Sequence, residues 1–478
     1  MANLAPNLKE CAFCYSQKVN FGIGEVVDEG ICIGCGVCSA ATNGRIQVRI
    51  GLRGHPEATL RGVAGRDIDV GNRVCPFSDS NQNETQIASA LFPNLPTDPI
   101  IGSFHTLSAT RITDEEKLLQ SSSGGTTTFF LEQLMNKNDI DGVLHVGKST
   151  GSELFEYTLS RGVSEIRAGT KSVYYAVSLD QILLSLDKVE GRFAVVGVPC
   201  FIKALRLLCN VKPEFKPKLS VFVGLVCGHL KSRFYAESLA WQAGVEPRVL
   251  KRLDFRIKDS SQSAINYSFE AERLDGSREV KPSRDVPDAH WGYGAFQPNA
   301  CNYCDDIFAE TADVVFADAW LPEYEKDWRG TNVVITRSEL HEQIISEGVD
   351  TGALFRESLT REQVVASQAG NVRHRRDGLA IRLADDEAVN RKHPSKRVTG
   401  GYSHVTKSRV RLVRQRRQMS VLSFQAFAAA KGAHNLNLYL KALKPEIRKY
   451  KILDFLSLSP YKKLRFMARQ VLVLLNVK

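Results

Sequence analysis

The chain has 478 residues, 43% of them apolar and 24% charged, with a net charge of +10. That length suits two or three domains, and the composition is ordinary for a globular protein. No apolar run approaches the roughly 18 residues that cross a bilayer, and the opening MANLAPNLKE lacks the basic-then-apolar pattern of a secretory signal, so a cytoplasmic protein is expected.

Residues 1–100 are rich in cysteine and glycine and read as small loops around metal. Residues 101–335 alternate helical and strand-like patterns, as an α/β domain does. A serine-glycine turn at 121–125 opens a helix whose Phe130, Leu131, Leu134 and Met135 fall at helical spacing. DGVLHVG (141–147), RFAVVGVP (192–199) and LSVFVGLV (219–226) read as strands, with a helix at FIKALRLL (201–208). Residues 336–400 are polar and resist assignment. Residues 401–478 hold 17 Lys and Arg against 2 Asp and Glu, and read as a basic, helical appendix. The expected fold class is mixed α/β, with a ferredoxin-like iron–sulfur segment first and a flavin-binding α/β domain after it.

Eleven cysteines in a reducing compartment point to metal rather than disulfides. CIGCGVC places Cys32, Cys35 and Cys38 at ferredoxin-type spacing, and Cys75 is followed by Pro76. Three close thiolates and a remote Cys-Pro are how a chain wraps one [4Fe–4S] cluster. A zinc ribbon built from Cys11, Cys14, Cys32 and Cys35 also fits the spacing. It strands Cys38 and Cys75, so the cluster is the preferred reading. Cys11 and Cys14 stay unassigned.

Cys200 and Cys227 each follow a buried strand, and a helix connects the two strands. A strand–helix–strand crossover makes parallel neighbours, so both cysteines should emerge at one sheet edge. That edge is where open α/β sheets bind cofactors. Cys301 and Cys304, in CNYC, would complete a second four-thiolate site. Buried free cysteines are the plainer reading of Cys200 and Cys227 taken alone, and Cys209 is read as core.

SSSGGTTT (121–128) offers backbone N–H groups at a helix start to a phosphate or flavin edge; in isolation a plain helix cap explains it as well. Lys171, in GTKSVYY, would stabilise a reduced flavin or be a solvated lysine. Gly142 to Ser149 matches the phosphate-loop pattern GxxxxGKS letter for letter. Three of its four inner residues, Val143, Leu144 and Val146, are apolar and β-prone, so it is read as a strand and not as a nucleotide loop.

Together ICIGCGVCSA, SSSGGTTTFFLEQL, KSVYYAVS, VVGVPCFIKALR, GLVCGH, FRIK and CNYCDDIFAETADVVFADAW resemble the family of coenzyme F420 hydrogenase/dehydrogenase beta subunits, in family order. That family is similar to plant 7-hydroxymethyl chlorophyll a reductase. The resemblance implies FAD and two [4Fe–4S] clusters. It implies flavin contacts from Ser123, Gly124, Gly125, Thr126, Lys171, Ser172 and Tyr174. It places Arg256, Lys258 and Asp318 in the same pocket, with Lys171, Arg256 and Lys258 as the catalytic set. The family's Gly-Trp after FRxK is replaced by SSQSA, and its Gly-Asp-x-Trp reads Ala317-Asp318-Ala319-Trp320.

The expected function is an iron–sulfur flavoprotein oxidoreductase. It would pass electrons between a ferredoxin-like or deazaflavin carrier and a small organic substrate. An electron-transfer component of a larger complex is the alternative, and a zinc-dependent nucleic-acid-binding protein is the third. No nucleic acid is expected as a partner, and a homo-oligomer is. RVRLVRQRRQ (409–418) suits an acidic partner or an anionic membrane surface as well as it suits a solvated helix.

Overall fold

A computed structural model describes residues 21–461, 463 and 464. Cys11 and Cys14 lie outside the described residues. The framework is one eight-stranded sheet. Its strands in chain order are β1 (Thr106–Ile112), β2 (Gly142–Lys148), β3 (Phe155–Ser160), β4 (Phe193–Gly197), β5 (Leu219–Leu225), β6 (Val314–Asp318), β7 (Asn332–Thr336) and β8 (Leu354–Ser358). Across the sheet they run β8-β1-β7-β6-β5-β4-β2-β3. The central four, β6, β5, β4 and β2, are parallel. The remaining neighbours pair antiparallel.

The parallel centre follows from composition. FAVVG and LSVFVGL carry apolar residues on both faces, which only a sheet covered on both sides can bury. Successive residues serve opposite cores. Ala194, Val221 and Val223 join Phe130, Leu134, Ile344 and Ile345 under the helices Thr126–Asn136 and Glu339–Asp350. Val195 and Phe222 face the other core, with Ile202, Leu205 and Leu208 of the helix Pro199–Val211. The strand Gly142–Lys148 runs through the phosphate-loop look-alike, so its N–H groups serve the ladder.

The N-terminal segment packs its helices Val37–Ala41 and Gly65–Val74 against the helix Pro199–Val211. A separate three-stranded meander, Leu250–Ile257, Ser268–Arg273 and Arg278–Pro282, carries the FRIK motif at the end of its first strand. The polar stretch 336–400 supplies β8 and the helices Glu339–Asp350, Arg361–Ser367, Ala369–Arg375 and Asp377–Glu387.

The basic C-terminal segment forms a helical hairpin, Lys407–Gly432 and Leu436–Ser457. Thr406 caps the first helix and Asn435 the second. The hairpin is built into the core. Phe427 and Tyr439 are fully buried, and Phe427 packs on Phe234, Trp241 and Phe296. Three arginines of the segment 409–418 are committed to the fold: Arg414 bonds Asp385, Arg417 bonds Asp386, and Arg416 bonds His229 and Gln297. No helix among the described residues is long and apolar enough to cross a membrane.

Phe427→Ala should destabilise the chain by about 3 to 5 kcal/mol, the usual cost of emptying a large aromatic site. Urea unfolding followed by circular dichroism would show it. A loss under ~0.5 kcal/mol, typical of surface changes, would mean that the hairpin is not part of the cooperative core.

Candidate functional site

The first cysteine group is shaped by two glycines. Gly34 and Gly36 have φ of +65° and +80°, and a Cβ on either would collide with Pro56 O or Ser178 Oγ. Only glycine closes this loop. Cys38 follows in the short helix Val37–Ala41, and Cys75 ends the helix Gly65–Val74. Cys32, Cys35, Cys38 and Cys75 line one small apolar cavity with Ile23, Val26, Val74 and Phe77. The amides of Gly34 and Ala58 donate to Cys32 Sγ at 3.4 and 3.3 Å. Burial pushes all four thiols up, Cys75 to about 12. Thiols held this way ionise when a metal supplies the positive charge.

The second group forms where β4 and β5 end. Their register pairs Gly197 with Gly224, so Cys200, in the first turn of Pro199–Val211, and Cys227 leave the same edge. Gly224 also lets the CNYC loop approach, because a Cβ there would lie 2.6 Å from the Cβ of Ala309. Cys301 and Cys304 arrive on that loop. The Leu230 amide donates to Cys301 Sγ at 3.2 Å, and the Cys304 thiol donates to Asp306 O at 3.4 Å. Arg375 ties the two loops together, donating to Cys301 O at 3.0 Å and to Gly228 O at 2.8 Å. Burial pushes the thiols up, and Cys301 and Cys304 further oppose ionisation of Cys200 and Cys227; Cys304 reaches about 11. Burial, with Glu310 and Glu84 nearby, lifts the Asp306 carboxyl to about 8.

The two groups are adjacent. Cys35 of the first acts on Cys200 of the second, and Tyr157 feels both. Leu179 N–H fixes the Cys35 carbonyl at 2.9 Å. Cys209 packs into the apolar core, as the sequence suggests. Among the described residues no three His, Cys, Asp or Glu side chains gather tightly enough for a single metal ion.

A third set lies beside β1 and β7. Gly125, with φ of +73°, precedes the helix Thr126–Asn136. A Cβ on Gly124 would lie 2.8 Å from Asn332 Oδ1 and from Thr110 O. Thr126 is fully buried and bonded to Thr110 and Asn332, so it shapes the turn from behind. Ser122 Oγ accepts from Ser172 N–H at 2.8 Å, which joins the glycine turn to the Lys171–Tyr174 stretch. Lys258 Nζ donates to Ser123 O and Arg329 O, both at 2.6 Å, and to Leu118 O at 2.8 Å. Lys171 Nζ donates to Arg256 O at 3.0 Å and faces Asp254 at 3.3 Å. Arg256 is 4% exposed and pairs with Asp318 at 2.8 Å, under the rings of Tyr267 and Trp320. Its Nε is buried without a partner among the described residues. Tyr174 packs among Tyr235, Phe255 and Trp291, and burial pushes its phenol up.

The expected residues therefore fall into three neighbourhoods. Ser123, Gly124, Gly125, Lys171, Ser172, Tyr174, Arg256, Lys258 and Asp318 form one. Ser122, Asn332, Tyr267 and Trp320 also belong to it, and Arg375 belongs to the second cysteine group. Ser122 was within reach of sequence reasoning, as the middle of the SSS run. Trp320 stands in the Asp318-x-Trp stretch already singled out, whereas Asn332, Tyr267 and Arg375 carry no local signal, because single polar or aromatic residues are common everywhere.

Two family models match the chain, both described as Coenzyme F420 hydrogenase/dehydrogenase, beta subunit. The N-terminal model matches residues 107–183 and the C-terminal model residues 190–362. The chain is 22% identical over 355 residues to the coenzyme F420-dependent sulfite reductase of Methanocaldococcus jannaschii, covering 70% of this chain and 49% of the relative. It is 22% identical over 214 residues to the F subunit of F(420)H(2) dehydrogenase from Methanosarcina mazei, covering 45% of this chain and 55% of the relative. The chain thus spans about half the length of the curated relatives it matches. A chain of the F420-reducing [NiFe] hydrogenase complex from Methanosarcina barkeri aligns with a TM-score of 0.47 at 17% identity, covering 63% of this chain and 98% of that one.

Burial, with Arg256 and Lys171 nearby, pushes the Lys258 ammonium down to about 7. In the unfolded chain it titrates near an ordinary lysine value of about 10.4. Between these values the unfolded state holds a proton that the folded state lacks, so this group makes stability rise with pH. Relative to Lys258→Met, the wild type should gain stability from about pH 7 to about pH 10. Urea midpoints across that range would test it, and parallel pH profiles would refute it.

Proposed function

Because the chain belongs to the family of coenzyme F420 hydrogenase/dehydrogenase beta subunits, we propose that it is an iron–sulfur flavoprotein oxidoreductase. It holds one [4Fe–4S] cluster on Cys32, Cys35, Cys38 and Cys75, another on Cys200, Cys227, Cys301 and Cys304, and one FAD at the glycine turn. When bound, the clusters supply one-electron transfer and the flavin supplies two-electron chemistry.

The observation that carries this reading is the adjacency of two buried four-cysteine groups, Cys35 of one acting on Cys200 of the other. The donor sets are all sulfur, which suits iron–sulfur clusters or zinc. A single zinc would draw its four sulfurs to within about 4 Å of one another. A cluster gives each cysteine its own iron and accommodates wider spacing. At the flavin site, Lys258 and Lys171 brace the backbone, Arg256 offers its unpartnered Nε to an acceptor, and Tyr174 closes the apolar side. Asp318 holds the Arg256 guanidinium in place.

The carrier is proposed to be ferredoxin-like or a deazaflavin, and the substrate a small organic molecule. A second reading, an electron-transfer component with no substrate of its own, is favoured by the likeness to a protein named as a dehydrogenase subunit. A nucleic-acid role gains nothing from the basic hairpin, since several of its arginines are bonded to Asp385, Asp386 and the core.

Anaerobic purification followed by iron, sulfide and flavin analysis should give about eight iron and one FAD per chain. Cys38→Ser and Cys301→Ser should each lose about half of the iron. Reduction by deazaflavin but not by dithionite-reduced ferredoxin would identify the carrier class. Zinc without flavin would overturn the whole reading.

A further inference from the structure

Basic side chains surround the second cysteine group. Arg375 is 1% exposed, Arg382 2%, Lys231 3%, His374 4% and His229 5%. Arg416, from the C-terminal hairpin, reaches the same place, and its Nε is buried without a partner among the described residues. Burying a cation is costly unless a negative charge accompanies it. Burial pushes the His229 and His374 rings well down and the Lys231 ammonium to about 7, and the lysine and arginines bond carbonyls and neutral groups. Lys231 donates to Ala295 O at 2.6 Å, Arg375 to the two cysteine loops, Arg382 to Asn302 O at 2.7 Å and His374 O at 3.0 Å, and Arg416 to His229 and Gln297 at 3.2 Å. Among the described residues none of Lys231, Arg375, Arg382 and Arg416 has a carboxylate at ion-pair distance. Asp288, the acid that Lys231 feels, is already bonded to Ser238, Gln242 and Tyr439.

The thiols nearest these side chains lie between the loops that Arg375 clamps. Arg375 acts on Cys227, Cys301 and Cys304, and Lys231 and Arg416 act on Cys301. Opposing charges are few. Asp305 and Asp306 face Cys304, but Asp305 pairs with Arg397 at 3.3 Å and Lys396 at 3.7 Å, and Lys396 itself acts on Cys304. The first group is built differently. Its nearby cation, Lys203, is paired with Glu84 at 3.2 Å, and Glu57 faces Cys32. Backbone amides compensate its sulfurs instead.

We propose that Arg375, backed by Lys231 and Arg416, is the counter-charge of the inner cysteine site and raises the reduction potential of the group bound there. The inference rests on the two-cluster reading. A cluster with four thiolates is anionic, and each reduction adds one electron; net charge is one of the levers that set its potential. Cations fixed in a low-dielectric surrounding favour the more negative, reduced state. Arg375 and Arg416 lie beyond the family-matched residues 107–362. The C-terminal part of the chain would therefore tune a site that the matched core builds. Arg375 is a positioning residue in this scheme, acting through loop geometry and charge.

The test is a redox titration with dithionite on the full anaerobic chain, followed by electron paramagnetic resonance. The wild type should show two cluster signals. Arg375→Gln and Arg416→Gln should lower one midpoint and leave the other unmoved, while Arg375→Lys should stay close to wild type. Should Arg375→Gln lose its iron, Arg416→Gln carries the test, since Arg416 bonds no cysteine backbone. Full iron with both midpoints unchanged in the glutamine variants overturns the inference and spares the two-cluster reading. A wild type with one cluster signal or none overturns both.

Discussion

The site depends on one constraint, the parallel pairing of β4 with β5. Because these strands run side by side in the same direction, their carboxyl ends stop at one edge, and Cys200 and Cys227 stop with them. The crossover helix Pro199–Val211 enforces that direction. It also gives the N-terminal segment a surface to pack on, which brings Cys35 close to Cys200. Had β5 been antiparallel to β4, the two cysteines would sit at opposite ends of the sheet.

A second layer of order comes from buried charge. Lys203 bonds Glu84, and Arg397 bonds Glu310 and Asp305, all largely shielded from water. These pairs join the helix Glu84–Leu91, the crossover helix, the loop after Cys304 and the segment near residue 397. Buried ion pairs add little net stability against an apolar alternative, but breaking one leaves an uncompensated charge. Their effect here is to fix loops that apolar packing alone would leave adjustable. The C-terminal hairpin belongs to this layer too, through Arg417 with Asp386.

Much of the framework was legible in the sequence. The apolar runs at 192–199 and 219–226 are strands, the serine-glycine turn opens a helix, and the strand through Gly142–Lys148 explains away the phosphate-loop pattern. The stretch 336–400 was not legible. Its helices mix buried charged residues such as Arg375, Arg382 and Asp386 with their apolar ones, and β8 sits at the sheet edge, so neither leaves a long apolar run. The hairpin at 407–457 was legible as helical but not as core, because its buried face is spread among arginines and lysines.

The sequence by itself determined the chemistry on offer. It supplied cysteines at cluster spacing, glycines where the loops Gly34–Gly36 and Gly124–Gly125 need them, and a family order of motifs. Those signals are local, since spacing and φ preference act over a few residues. Only the tertiary structure decided which cysteines meet, that Lys258 and Lys171 brace backbone carbonyls, and that Arg375 and Arg416 approach the inner group with no carboxylate partner among the described residues. Convergence depends on strand direction and long-range packing, and the cost of a buried charge depends on every neighbour around it. Neither is written in any short stretch of chain.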